Sequence, residues 1–108
     1  MEKPLIDLHI HSTASDGSLT PAELIDMAEE LHLAAAALTD HDTVAGVDEF
    51  LQASSGRNVI AVPGVEISTA FDRREVHIVG LFIDHHLPEL NAFLDDICNK
   101  RHERNEKI

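Results

Sequence analysis

Apolar and polar positions alternate along this chain in registers that name its elements. Residues 4 to 10, PLIDLHI, place Ile6, Leu8 and Ile10 at every second position, with Asp7 and His9 between them and His11 just beyond. Side chains on a strand alternate faces, so this spacing predicts a buried strand with one apolar face and one face of hydrogen-bonding and metal-ligating groups. A polar loop from His11 to Ser18 follows. Thr20, Pro21 and Glu23 then form a helix start, with a Thr cap, Pro at the first helical position and Glu where a capping box needs it. Leu24, Ile25, Ala28 and Leu31 give that helix one apolar stripe.

The run LAAAALTD, 33 to 40, is apolar until its polar end. Alanine also favours helix, but the preceding helix and the TDHDT that follows favour a strand buried on both faces. Val44 to Ser54 is expected as a second helix, NVIAVPGVEIS (58 to 68) as a third strand, and EVHIVGLFI (75 to 83) as a fourth. Pro63 and Gly64 are expected to mark a bulge or an edge position in the third strand. From Pro88, Leu90, Phe93, Leu94 and Ile97 recur at helical spacing before the charged end KRHERNEKI, which predicts an amphipathic helix. Strands alternating with helices predict an α/β fold with a mainly parallel sheet, although the third and fourth strands are joined by only a short connection. Ligands of such sheets bind at the carboxyl ends of strands. His9 with His11, His41, Glu66 and His77 fall at or near four such ends.

Composition narrows the class. The 108 residues suit one domain, and the single cysteine, Cys98, excludes an internal disulfide and fits a reducing compartment. No apolar run approaches the roughly 18 residues of a membrane span, and the first residues lack the parts of a signal peptide, so a soluble cytoplasmic protein is expected. With 20 acidic against 8 basic residues the net charge is −12, which argues against electrostatic nucleic-acid binding by this segment alone. Divalent cations held by some of those carboxylates would offset part of the excess. Eight histidines are the other anomaly.

Position separates ligand candidates from ordinary histidines. His9 and His11, two apart on a strand, share a face with α-carbons about 6 to 7 Å apart, close enough to converge on one ion. Asp16 precedes Gly17 in the loop beyond and is either a turn residue or a carboxylate folded back toward the site. His41 lies between Asp40 and Asp42, as a metal ligand with carboxylate support would, with a solvated loop as the competing reading. Glu66, between Val65 and Ile67, needs a partner if buried, and bridging two cations would supply one. His77, between Val76 and Ile78, is a further ligand or a satisfied core histidine. Histidine and carboxylate donors without thiolates suit Zn, Mn or Fe, with Mg as a further candidate. Two ions about 3.5 to 4 Å apart can hold a hydroxide and clamp a phosphoryl oxygen. No Gly-rich phosphate loop or Ser-His-Asp order is visible, so a metal-activated water is the natural nucleophile.

The stretches DLHIHSTASDGSLTP, ALTDHDTVAG, VPGVEIS and EVHIVGLFID, which span most of residues 5 to 84, resemble the successive motifs of the PHP family, the polymerase and histidinol phosphatase metal-dependent phosphoesterases. The SDG and TDHDT forms look most like its stand-alone bacterial branch, which includes nucleoside 3′,5′-bisphosphate phosphatases and a 5′-to-3′ exoribonuclease. The resemblance implies a distorted (βα)7 TIM-like barrel with two or three divalent ions. It also implies that His9 and His11 bind a first metal, Asp16 and His41 a second, that Glu66 bridges and that His77 helps hold a third. Asp40 and Asp42 are expected as supporting or proton-transfer residues. A barrel needs on the order of 200 or more residues, so residues 1 to 108 are expected to be its N-terminal part, truncated before later ligands and an insertion domain.

The expected activity is hydrolysis of phosphate esters in small nucleotides or short oligonucleotides by a hydroxide held between metals. A non-catalytic metal-binding scaffold or interaction fragment, a histidinol-phosphatase-like enzyme and a polymerase proofreading domain are the alternatives. The isolated chain is expected to be weakly active or inactive, and to self-associate over its open sheet edge. His32, His85, His86 and His102 are assigned to a helix end, a loop and a solvated helix, and Cys98 to a packed or surface helix position.

Overall fold

The computed structural model describes the backbone of residues 4–106 and the side chains of residues 4–100. In chain order the elements are β1 (Leu5–Ile10), α1 (Pro21–Glu30), β2 (Leu33–Leu38), α2 (Val47–Ala53), β3 (Ile60–Phe71), β4 (Arg74–Leu81) and α3 (Pro88–Glu106). The four strands form one sheet in the order β1-β2-β3-β4. β1, β2 and β3 run parallel, and β4 returns antiparallel to β3. The architecture is therefore mixed α/β, and the expected parallel sheet holds for three strands of four.

α1 starts as its sequence requires. Thr20 Oγ1 accepts from Glu23 N and Glu23 Oε1 accepts from Thr20 N, at 3.2 and 3.0 Å, which satisfies two amides the helix itself leaves free. Leu24, Ile25 and Ala28 bury against Ala36 and Leu38 of β2, Val47 and Phe50 of α2, and Val59. Burying a side chain such as Phe50 or Ile25 contributes about 1.5–3 kcal/mol. Leu31, expected in the same stripe, is exposed at the helix end instead.

β1 also departs from expectation. It sits at the edge of the sheet with β2 as its partner, and Leu5 and Ile6 are 64% and 56% exposed. β3 is internal, so Pro63 and Gly64 mark neither an edge strand nor a simple bulge. Pro63 is the last residue paired with β2, opposite Leu38, and Gly64 is the first paired with β4, opposite Leu81. The ladder changes partner there. A side chain at Gly64 would meet backbone oxygens of Gly80 and Leu38 at 2.8 and 2.9 Å, which explains the glycine.

β3 and β4 meet through Asp72 and Arg73, both at positive φ (52° and 65°) between the paired residues Phe71 and Arg74. Positive φ at both central residues is the geometry of a two-residue hairpin turn that matches strand twist. In α3, Leu94 is buried and Leu90 and Ile97 are half-buried, whereas Phe93 is half exposed. The side chain of His102 lies outside the described residues.

Candidate metal centre

Six side chains from five segments gather into one cluster around the buried carboxylate of Glu66. β1 contributes His9, the residue after it His11, the following loop Asp16, the loop after β2 His41, β3 Glu66 and β4 His77. Glu66 is 4% exposed. His9 Nε2 and His11 Nε2 lie 2.6 and 2.7 Å from its Oε1, and His77 Nδ1 lies 2.7 Å from its Oε2. Asp16 spans the other two rings, with Oδ1 at 2.9 Å from His11 Nδ1 and Oδ2 at 3.2 Å from His41 Nε2. Neighbouring ring centroids stand 5.0 Å (His9 to His11), 4.3 Å (His11 to His41) and 5.2 Å (His41 to His77) apart.

The strands explain this convergence. Glu66 and Ser68 share one face of β3, and His77 of β4 is opposite Ser68, so His77 is the diagonal neighbour of Glu66 and within reach of a long side chain. On the other side, His41 pairs with Glu66 in a single parallel bridge, reinforced by Glu66 N donating to Asp40 O and Asp42 N donating to Glu66 O. The carboxyl-end expectation therefore holds for His9, His11 and His41, and is corrected for the hairpin. Glu66 sits within β3 and His77 within β4, whose direction is reversed.

Burial alone would push the Glu66 carboxyl up, but contacts with the rings of His9, His77 and His11, and the nearby His41, outweigh it and hold it at about 2. His77 is raised from its ordinary value, first by Glu75, whose Oε1 is 3.1 Å from His77 Nε2, and then by Glu66. Glu66 is thus a carboxylate among nitrogen donors, and His9–His11–Glu66, His11–Asp16–His41 and His41–Glu66–His77 each bring ligand atoms within 4.8 Å of one another. Three overlapping triads of imidazole and carboxylate, without thiolate, fit borderline divalent ions.

Asp40 and Asp42 have defined places beside these groups. Asp40 is 1% exposed and accepts from Ser12 N, Ser12 Oγ and Ser15 Oγ at 2.6, 2.6 and 2.7 Å. It clamps the loop that presents Asp16. Asp42, at φ 54°, accepts from Ser68 N at 2.7 Å and ties the loop after β2 to β3. Ser12, Ser15 and Glu75 escaped the sequence reading. Glu75 carried a signal, since two residues before His77 on a strand is the same face.

The profile of the PHP domain family matches residues 7–103. The chain belongs to this family. Among curated relatives it is 48% identical over 99 residues to a 3′,5′-nucleoside bisphosphate phosphatase of Chromobacterium violaceum, covering 92% of this chain and 35% of that protein. It is 42% identical over 106 residues to the 5′-3′ exoribonuclease Rnm of Escherichia coli, covering 96% and 36%. A solved structure of a Chromobacterium violaceum protein, described as an amidohydrolase with bound sulfate and no metal, superposes with a TM-score of 0.87 at 47% identity, covering 94% of this chain and 36% of that one. The chain spans about a third of the length of the curated relatives it matches.

Proposed function

We propose that this PHP chain carries the divalent-metal centre of a phosphoesterase that hydrolyses phosphate esters of small nucleotides or short oligonucleotides. The observation that carries the reading is the convergence of His9, His11, Asp16, His41 and His77 around the buried Glu66 carboxylate. His9 and His11 would hold one ion, Asp16 and His41 another, and Glu66 would bridge, with His77 toward a third. Zn, Mn or Fe fits these donors. Bound there, divalent ions would supply Lewis acidity and, by making water easier to ionise, a hydroxide nucleophile at neutral pH.

The chain's own residues orient that chemistry. Glu66 stays ionised although buried, Asp40 fixes the Asp16 loop through its serine bonds, and Asp42 holds the His41 loop on β3. A cleft of about 520 Å³ opens beside Asp16, His41 and His77, enough for a phosphate ester to approach. The relatives' names support nucleotide or RNA substrates. In this reading residues 1–108 are the N-terminal part of a distorted (βα)7 barrel in a cytoplasmic enzyme, with further ligands supplied from outside this segment. The exposed Leu5 and Ile6 on the β1 edge support self-association of the isolated chain; a stable monomer in sedimentation velocity would remove that part. Among the described residues no helix is long and apolar enough to cross a membrane.

The test is metal content by elemental analysis without chelator, with phosphoester hydrolysis measured on the same sample and on the parent enzyme. Glu66→Ala and His9→Ala should each abolish metal-stimulated hydrolysis. Retained turnover in either variant would falsify the assignment.

A further inference from the structure

A second group of ligating side chains lies away from Glu66, where the first turn of α2 meets the turn leading into α3. His85 Nε2 is 2.7 Å from Asp48 Oδ1, His86 Nε2 is 3.2 Å from the same oxygen, and the two rings stand 4.0 Å apart. One ligand atom from each of the three residues lies within 4.8 Å of the others. Adjacent residues ordinarily send their side chains apart. Here the turn prevents it: Asp84 Oδ1 accepts from His86 N at 3.2 Å, Leu87 N donates to Asp84 O at 3.1 Å, and Asn91 Nδ2 donates to His85 O at 3.1 Å.

The support is uneven in a way that suits a ligand. The His85 side chain is 13% exposed, so its ring is held largely out of water by a fixed backbone. Two ring nitrogens and one carboxylate oxygen face a common point, and a single dication there would satisfy all three groups at once. Two imidazole nitrogens and a carboxylate oxygen are three protein ligands, leaving a fourth position open. Those donors suit zinc, copper or nickel over magnesium or calcium, and the chain's net charge of −12 raises local cation concentration.

We propose that Asp48, His85 and His86 form a separate binding site for a divalent transition-metal ion of the zinc class, which fastens the turn ahead of α3 to α2. The consequence reaches the first centre. Asp48, His85 and His86 line a cleft of about 470 Å³ with Asp42, Leu94 and Cys98, and Asp42 and Cys98 also border the cleft beside His41. Leu94 is buried and Cys98 Sγ is 3.8 Å from Asp42 O, so an ion that anchors the start of α3 steadies a wall shared by both clefts.

The test reads zinc content after gel filtration in the His9→Ala/Glu66→Gln chain and in the same chain with Asp48→Asn and His86→Ala added. The first should hold about one equivalent more than the second, and added Co2+ should broaden the ring NMR signals of His85 and His86 in the first. Equal zinc in the two chains overturns the proposal and leaves a plain hydrogen-bonded ion pair. If the His9→Ala/Glu66→Gln chain fails to fold by circular dichroism, Asp48→Asn/His86→Ala in the otherwise unaltered chain decides, by lowering zinc by about one equivalent or not at all. Hydrolysis is not the readout, so the outcome stands apart from the function assigned to the first centre.

Discussion

The Glu66 and Asp48 clusters use the same donors on opposite terms. Glu66 is 4% exposed and meets rings from three segments, whereas the Asp48 side chain is 61% exposed and meets two adjacent rings from one turn. A buried carboxylate stripped of partners has no water to replace them, while an exposed one does. The first cluster is therefore tied into the fold, through the Asp40 clamp and the change of partner in β3. The second depends on one turn and, in our reading, on an ion.

The largest test of that contrast is Asp40→Ala. It removes three bonds to a buried carboxyl group and strands the Ser12 amide, which should cost about 4 kcal/mol, a large share of the roughly 5–15 kcal/mol that holds a domain together. Urea unfolding should show it, and an unchanged midpoint would mean that the clamp is dispensable. Gly64→Ala ranks next. Its Cβ would press on backbone oxygens at 2.8 and 2.9 Å, so about 2 kcal/mol of overpacking is expected by the same assay, together with weaker metal binding as Glu66 shifts.

A third test is the pH dependence of melting in chelator. Glu66 is depressed to about 2, so its contribution is complete above the ordinary carboxylate range and is lost as pH falls toward about 2. His77 is raised, so its contribution is complete below the ordinary histidine range and fades as pH rises through its raised value. The chelated chain should melt highest between roughly pH 4.5 and 6.5, and zinc should move the optimum upward. A flat profile in chelator would detach the centre from folding. The smallest effect is expected for Asp48→Asn without metal. An exposed pair contributes little, so its urea midpoint should match the unaltered chain, and a loss as large as that of Asp40→Ala would erase the contrast.

Much of this was legible because it is local. The Thr20-Pro21-Glu23 helix start, the Leu24–Ile25–Ala28 face and the apolar β2 run all follow from spacing and capping, which a few neighbouring residues decide. The hairpin was less legible. Its turn residues are Asp72 and Arg73, without the glycine that usually marks two positive φ angles, so the expected strands stop at 68 and start at 75 where the paired ones run to Phe71 and from Arg74, and the reversal of β4 is not legible. His85 and His86 lie in a loop as expected, but their shared contact with Asp48 was not legible, because Asp48 is 37 residues from His85.

By itself the sequence determined the order and type of the elements, the capped start of α1 and the residues available to bind metal. It could do so because periodicity and caps act within a few residues. Only the tertiary structure decided that β1 is the strand left at the open edge and that β4 runs backwards. It also set Asp40 to gripping serines and brought Asp48 to two neighbouring histidines. Those outcomes depend on which distant backbones pair and which carboxylates lose their water, and chain closure over tens of residues settles both.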